Sequence, residues 1–301
     1  MPNTLAHIGA QGFILRPFLN KADIKWIYLG CIIPDVPWML QRVIRFTGLD
    51  INAYDLRLYA IIQSSLLFSI LLALALAMYS ARYWKTGSIL SLNALLHLLL
   101  DAMQVKWANG VHLFAPISWK LINFGLFWPE NIFTYLLTVA GIAFFIITLK
   151  KAAGGESDLR LKSPMRYVGS IILMAIYMIT PLFILDAPER ADNHFVHTLR
   201  DYQNRQGKHI ELDRKKFDHD AGTIRAFGDE PIQVKGIDLN DSAVLSINGR
   251  FISPDTIQVE EYHVHNEVFR DGASYAGLGL VLAVWILGIR AGSKANELQK
   301  K

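Results

Sequence analysis

The sequence predicts a mainly α protein: a multi-pass transmembrane helical bundle of about five to seven spans, with an inserted, external small β-barrel. Three observations predict it. Hydrophobic residues make up 52% of the 301 and charged residues only 19%, with a mean hydropathy of +0.27, too apolar a balance for an ordinary soluble domain of this length. The runs 59–79 ("YAIIQSSLLFSILLALALAMY"), 130–149 ("ENIFTYLLTVAGIAFFIITL") and 167–185 ("YVGSIILMAIYMITPLFIL") are each long enough to cross a hydrocarbon core of roughly 30 Å. Residues 187–272, by contrast, are polar and rich in turn formers.

In chain order, 3–19 is a short candidate span and 24–41 a second one, interrupted by Pro34 and Pro37. The long runs follow, with 87–105 between the first two and 274–290 near the C-terminus. This divides the chain into a helical domain at 1–186, a β-rich domain at 187–272, and a final transmembrane helix with a cytoplasmic tail at 273–301. In the middle domain "ADNHFVHTLRDYQNRQG" reads as a lead-in helix. After it, "PIQVKGI", "SAVLSING" and "TIQVEEYHVH" alternate apolar and polar residues, broken by Gly-Asp, Asn-Asp, Asn-Gly and Ser-Pro. Five or so short strands suit a small barrel, and "VLSINGRFISPDTIQVEEYHVH" is similar to the late strands of an OB-fold.

The formal charge of +4 is mild, and the basic residues gather in loops beside the apolar runs. Arg82 and Lys85, then Lys150, Lys151, Arg160, Lys162 and Arg166, then Arg290, Lys294, Lys300 and Lys301 mark cytoplasmic segments. Residues 106–129 and 186–273 then fall outside, and Lys21 and Lys25 inside. Arg42, Arg45 and Arg57 land on the wrong side, which an amphipathic helix lying along the membrane would explain. No nucleic-acid partner is expected, because the external position of the barrel disfavours the usual task of OB-folds. The lone cysteine, Cys31, excludes an intrachain disulfide and a thiolate cluster, and no cleaved signal peptide is expected.

The functional signal is "NALLHLLLDAMQ", residues 93–104, where Asn93, His97 and Asp101 recur every four residues on one helix face. An ionisable group inside a span is costly and needs a partner. His7 in the first candidate span and Asp35 in "GCIIPDVPWM" fall at the same predicted depth. Two imidazoles and two carboxylates make a nitrogen–oxygen ligand set suited to a divalent transition metal, zinc foremost, or manganese or iron. Asn93 would orient the ligands from one turn deeper. The competing role for His97 and Asp101 is a hydrogen-bonded link between helices.

"MPNTLAHIGAQG", "LGCIIPDVPWML" and "ALLHLLLDAMQVKWANGVHLFAP", in that order, resemble the bacterial membrane-bound metal-dependent hydrolase family. The resemblance covers roughly the first 120 residues. That family's pattern is an early His, a Leu-Pro-Asp turn and a His-x-x-x-Asp helix followed by Gly-Val-x-Leu-x-x-Pro, matched here by His7, Asp35, His97, Asp101, Gly110, Val111, Leu113 and Pro116. It implies a bacterial inner-membrane protein that hydrolyses an ester or phosphoester, with Asp35 or Asp101 as ligand or base. The chain departs from the family in one place: Gln63 and Ser64 stand where a second histidine motif is usual, which leaves ligands for a single metal. A site at the outer leaflet suits a lipid-linked substrate.

Outside, His263 and His265 lie two apart on a predicted strand, with Glu261 on the same face, as either a metal-binding or a solvated surface. His112 either caps the site as a lid ligand or sits at the interface, where Trp107, Trp119, Phe127 and Trp128 fit a membrane-interface belt, and Arg214, Lys215 and Lys216 fit a solvated or headgroup-contacting face. Two functions compete. One is a membrane-embedded hydrolase whose barrel covers the site or recruits a protein partner. The other is a non-catalytic protein with a degenerate site, whose barrel binds a partner or cofactor. A transporter is disfavoured by the absence of inverted repeats.

Overall fold

The computed structural model describes residues 3–18, 24–154, 159, 163–191, 195–226 and 230–298. Of the expected orientation signals, Lys21, Arg160, Lys162, Lys300 and Lys301 lie outside them, as do the side chains of Lys150, Lys151, Arg290 and Lys294.

Helix α1 (Thr4–Leu15) starts at Asn3, whose side chain accepts the Ala6 N–H and donates to Thr138 Oγ1 at 2.8 Å. It crosses α7 (Ile132–Gly154) at a contact only glycine allows. A Cβ on Gly141 would stand 2.0 Å from the Leu5 carbonyl oxygen, and one on Gly9 would stand 2.5 Å from Gly141 N.

The expected span 24–41 is instead α2 (Ile24–Gly30), a 3-10 turn at Ile33–Asp35, and α3 (Val36–Phe46). Pro34 and Pro37 supply no N–H to a continuous helix, so the chain turns at Asp35. The expected span 59–79 is also broken, into α4 (Ala53–Gln63) and α5 (Leu66–Ala77), which meet at 70°. The Ser64 hydroxyl bonds back to the Ile61 carbonyl at the break.

Helix α6 (Tyr83–Met103) is continuous and carries the polar stripe. With α7, α8 (Pro164–Ile179, continued by a 3-10 turn to Phe183) and α11 (Glu267–Leu298), it gives, among the described residues, four helices long and apolar enough to cross a membrane. The bent α4–α5 pair would be a fifth. Large apolar side chains lie exposed along α7 (Phe133, Leu136, Val139, Ile146) and α8 (Val168, Ile171, Ile172, Ile179).

Short helices α9 (Asp186–Ala191) and α10 (Val196–Arg200) lead into a closed five-stranded barrel. Its strands are β1 (His209–Asp218), β2 (Thr223–Arg225), β3 (Pro231–Lys235), β4 (Ala243–Ser253) and β5 (Thr256–Val264), in the order β1-β2-β3-β5-β4. Only β3 and β5 pair in parallel, and the arrangement fits an OB-like barrel. Ile210, Leu212, Ile224, Ile232, Leu245, Ile247 and Ile257 are buried at its centre. Asn248-Gly249 is not a strand break but lies within β4 opposite a bulge at Glu260 of β5, and a Cβ on Gly249 would meet the Gln258 carbonyl oxygen at 2.3 Å.

The barrel sits on α4 and on the 104–131 loop. Leu58 and Ala108 join its core cluster, Glu211 accepts the Ala108 N–H at 2.7 Å, and Asn109 donates to Asp213 at 2.8 Å.

Candidate metal centre

Three elements bring the four expected ligands together. His97 and Asp101 project from one face of α6, His7 from α1, and Asp35 from the turn forced by Pro34 and Pro37. Asp101 Oδ1 lies 3.4 Å from His7 Nε2, Asp101 Oδ2 lies 3.8 Å from His97 Nε2, and Asp35 Oδ1 lies 3.5 Å from His97 Nε2. The two imidazoles stack in parallel with centroids 3.7 Å apart. Asp35 reaches the group through His97, while one ligand atom from each of the other three lies within 4.8 Å of the rest.

The proton inventory of these rings suits an ion. His97 Nδ1 lies 2.7 Å from the Cys31 carbonyl oxygen, which only accepts, so Nδ1 carries a hydrogen and, in the neutral ring, Nε2 keeps its lone pair. Gln11 lies 3.1 Å from His7 Nδ1, and its Oε1 has no partner as placed. Turned about its amide, Gln11 accepts from Nδ1 and frees His7 Nε2 in the same way.

His7 Nε2, His97 Nε2, Asp35 Oδ1 and Asp101 Oδ1 are all buried without a hydrogen bond. Four orphaned polar atoms facing one another cost several kcal/mol unless something positive lies among them. Ligands about 2.0–2.2 Å from a tetrahedral zinc stand roughly 3.3–3.6 Å apart. The 3.4 and 3.5 Å separations match that spacing and the 3.8 Å between His97 and Asp101 is slightly wider, so the residues fit one divalent ion with a small adjustment.

Asn93 acts less directly than its place in the stripe suggests. Its amide donates to the Ile89 carbonyl, its oxygen lies 3.8 Å from Cys31 Sγ, and its side chain fills the space a Cβ on Gly30 would need. It seats the Gly30–Cys31 segment whose carbonyl holds His97.

The groups around the centre escaped sequence reasoning. Lys106 Nζ lies 3.1 Å from Asp101 Oδ2, both buried. Asp101 and Lys106 border a cavity of about 410 Å³ that also takes in Arg42, Arg45, Arg57, Arg214 and Arg270, against the further acids Asp213 and Asp271. Arg42 and Arg45 come from the inner face of amphipathic α3, whose Leu40, Val43 and Phe46 are exposed. Their only trace in the sequence was a charge on the wrong side of the expected topology. Arg214 is no solvated charge either. A left-handed backbone (φ 50°) and a bulge between Leu212 and Lys215 turn it into the cavity.

His112 borders the cavity and packs edge-on against Trp119 with centroids 5.7 Å apart. Burial pushes its pKa down to about 4, so the ring is neutral at pH 7.

The second histidine group also differs from expectation. His263 and His265 take Glu130, from the loop before α7, as their acidic partner, while Glu261 is exposed. These three side chains could also hold a metal ion. Trp128, expected in the interface belt, stacks on His263 with centroids 3.9 Å apart.

Neither a family model, nor a curated protein, nor a solved structure matches this chain.

Proposed function

We propose that the chain is a membrane-embedded, metal-dependent hydrolase of phosphoesters. One observation carries this reading: four buried, unpartnered donor atoms converge where a strongly basic cavity meets the bundle. Four apolar helices and the exposed apolar faces of α7 and α8 support a multi-pass membrane protein. The motif resemblance of the first 120 residues supports the hydrolase class and a bacterial inner-membrane location with the barrel outside. Six basic side chains against three aspartates favour an anionic phosphoester over a neutral ester, and a lipid-linked headgroup could enter from the bilayer.

His7, His97 and Asp101 would hold the ion, with Asp35 at its edge. A zinc ion there would polarise a phosphoryl oxygen and lower the pKa of a bound water. Lys106 occupies the second oxygen of Asp101, which leaves Asp101 to hold rather than to accept protons. Asp35 is 17% exposed against 3% for Asp101, and it touches only the His97 side of the group. It would therefore be the better base for a water held by the ion. Arg42 and Arg45 would bind the phosphate oxygens.

The test is metal content of detergent-purified protein beside His97→Ala and Asp101→Ala, with hydrolysis of a phosphodiester measured on each. One equivalent of transition metal and the activity should both disappear in the two variants.

Gln63 favours the non-catalytic alternative. Its amide donates to Tyr59 Oη and the Tyr177 carbonyl, a structural role at the position where the resembling family carries a histidine. Metal retained without hydrolysis of any phosphoester or carboxylic ester would support that alternative, with the barrel binding a partner or cofactor.

A further inference from the structure

The junction between barrel and bundle holds a second convergence of ligand atoms. Glu130 Oε2 lies 3.2 Å from His263 Nε2, and Glu130 Oε1 lies 2.9 Å from His265 Nδ1. The ligand atoms of the three lie within 4.8 Å of one another. They come from the loop entering α7 and from the end of β5, some 133 and 135 residues apart in sequence.

Their hydrogens can be counted. Asp213 receives the Ser246 hydroxyl hydrogen at 2.8 Å on one oxygen and the Asn109 amide at 2.8 Å on the other. Burial opposes its ionisation, but the Arg214 charge and these hydrogen bonds hold its carboxyl below the usual range, so it accepts at neutral pH. Ser246, its one hydrogen committed, can only accept from His265 Nε2 at 2.7 Å, so that hydrogen sits on Nε2.

His265 Nδ1 therefore points at a carboxylate oxygen without a hydrogen of its own unless the ring is cationic. Two acceptors 2.9 Å apart repel unless a positive species joins them. A second hydrogen on His265 would satisfy that contact and an Nε2–H on His263 the other, whereas one ion would satisfy both. The structure also brings His263 Nε2 to the same carboxylate, on a ring held flat against Trp128 at an interplanar angle of 3°.

We propose that Glu130, His263 and His265 bind a zinc-type divalent cation that fastens the barrel to the helical bundle. The separations of 2.9 and 3.2 Å are a few tenths of an ångström shorter than the roughly 3.3–3.6 Å of a tetrahedral site, so the carboxylate would draw back slightly to admit the ion. The Ser246–Asp213 relay fixes the His265 tautomer as outer-shell partners of metal ligands do. Arg214, 3.4 Å from Glu130 Oε1, lowers the net negative charge of the group. That favours an ion bound by neutral imidazoles over calcium or magnesium, which need several oxygens. Because Arg214 also borders the cavity, the ion would fix the barrel's contribution to that cavity as well.

The experiment is Zn²⁺ titration of chelator-stripped, full-length protein in detergent, in competition with a chromophoric chelator. The variants are His97→Ala, the double variant His263→Ala/His265→Ala, and Glu130→Gln. The His97→Ala protein should keep one tight equivalent, and that equivalent should be lost when His263→Ala and His265→Ala are added. This holds whether or not the bundle centre binds metal, so the two readings fail separately. Glu130→Gln preserves shape and guards against misfolding: Zn²⁺ should raise the melting temperature of His97→Ala but not of His97→Ala/Glu130→Gln. A double histidine variant that binds as much Zn²⁺ as wild type, or a Zn²⁺-induced shift that survives Glu130→Gln, would overturn the proposal and leave a protonated ion-pair cluster.

Discussion

The two histidine–carboxylate groups use similar ligands in opposite settings. In the bundle, His97 and Asp101 are one helical turn apart, and their partners arrive on α1 and on a proline-forced turn. His7, His97 and Asp101 are buried, and the facing atoms have no hydrogen bonds. At the barrel junction the carboxylate is borrowed from a distant loop. There the groups are partly exposed and held by a side-chain network through Ser246, Asp213 and Arg214. Burial opposes ionisation of Glu130, yet His265, His263 and Arg214 outweigh it and hold its pKa at about 2. The bundle group is suited to chemistry beside a cavity, and the junction group to joining two parts of the chain.

The sharpest way to break this contrast is to remove one ligand from each group. His97→Ala should reduce phosphodiester hydrolysis by at least ~10²-fold, more than the loss of an outer-shell partner usually causes. His263→Ala should leave turnover within a few-fold, read in steady-state kinetics. Equal losses would mean the two groups form one functional unit.

Next comes the ion pair that separates the centre from the junction. Lys106→Met leaves Asp101 buried without its cation, and should cost about 3–5 kcal/mol in metal-stripped protein. Added Zn²⁺ should restore much of that loss, as measured by thermal unfolding.

Packing gives a third test. Gly141→Ala places a methyl group against the Leu5 carbonyl oxygen, displacing α1 and with it His7. It should destabilise by about 1–3 kcal/mol and weaken metal binding at the centre. Gly249→Ala should strain the β4–β5 pairing by a comparable amount while leaving metal binding at the centre unchanged.

His112, in neither group, supplies a pH test. Its folded pKa of about 4 lies below the ordinary 6.5, so the unfolded chain takes up the proton first as pH falls. Stability should drop by about 2 kcal/mol between pH 7 and pH 5 on this account. In His112→Gln that part of the acid sensitivity should vanish.

The smallest effect concerns the cavity. Arg42→Ala should raise KM for an anionic phosphodiester roughly 5–10-fold with little change in kcat, and added salt should shrink the difference.

What the sequence determined by itself is local. The four-residue spacing of Asn93, His97 and Asp101 places them on one face of any helix, and α6 follows it. Pro34 and Pro37 announce an interruption, and alternation over "TIQVEEYHV" announces a strand. Hydropathy marks the helices over 132–149, 164–183 and 268–288. Tertiary structure alone decided what those elements meet. Only the folded chain splits 59–79 at Ser64 and gives His263 and His265 Glu130 in place of Glu261. It also gathers Arg42, Arg45, Arg57, Lys106 and Arg214 around one cavity. The physical reason is range: backbone hydrogen bonding and side-chain periodicity act over a few residues and leave a pattern in the sequence. A salt bridge or a bulge-directed side chain joins positions a hundred residues apart, and no local pattern records which opposite charge it will find.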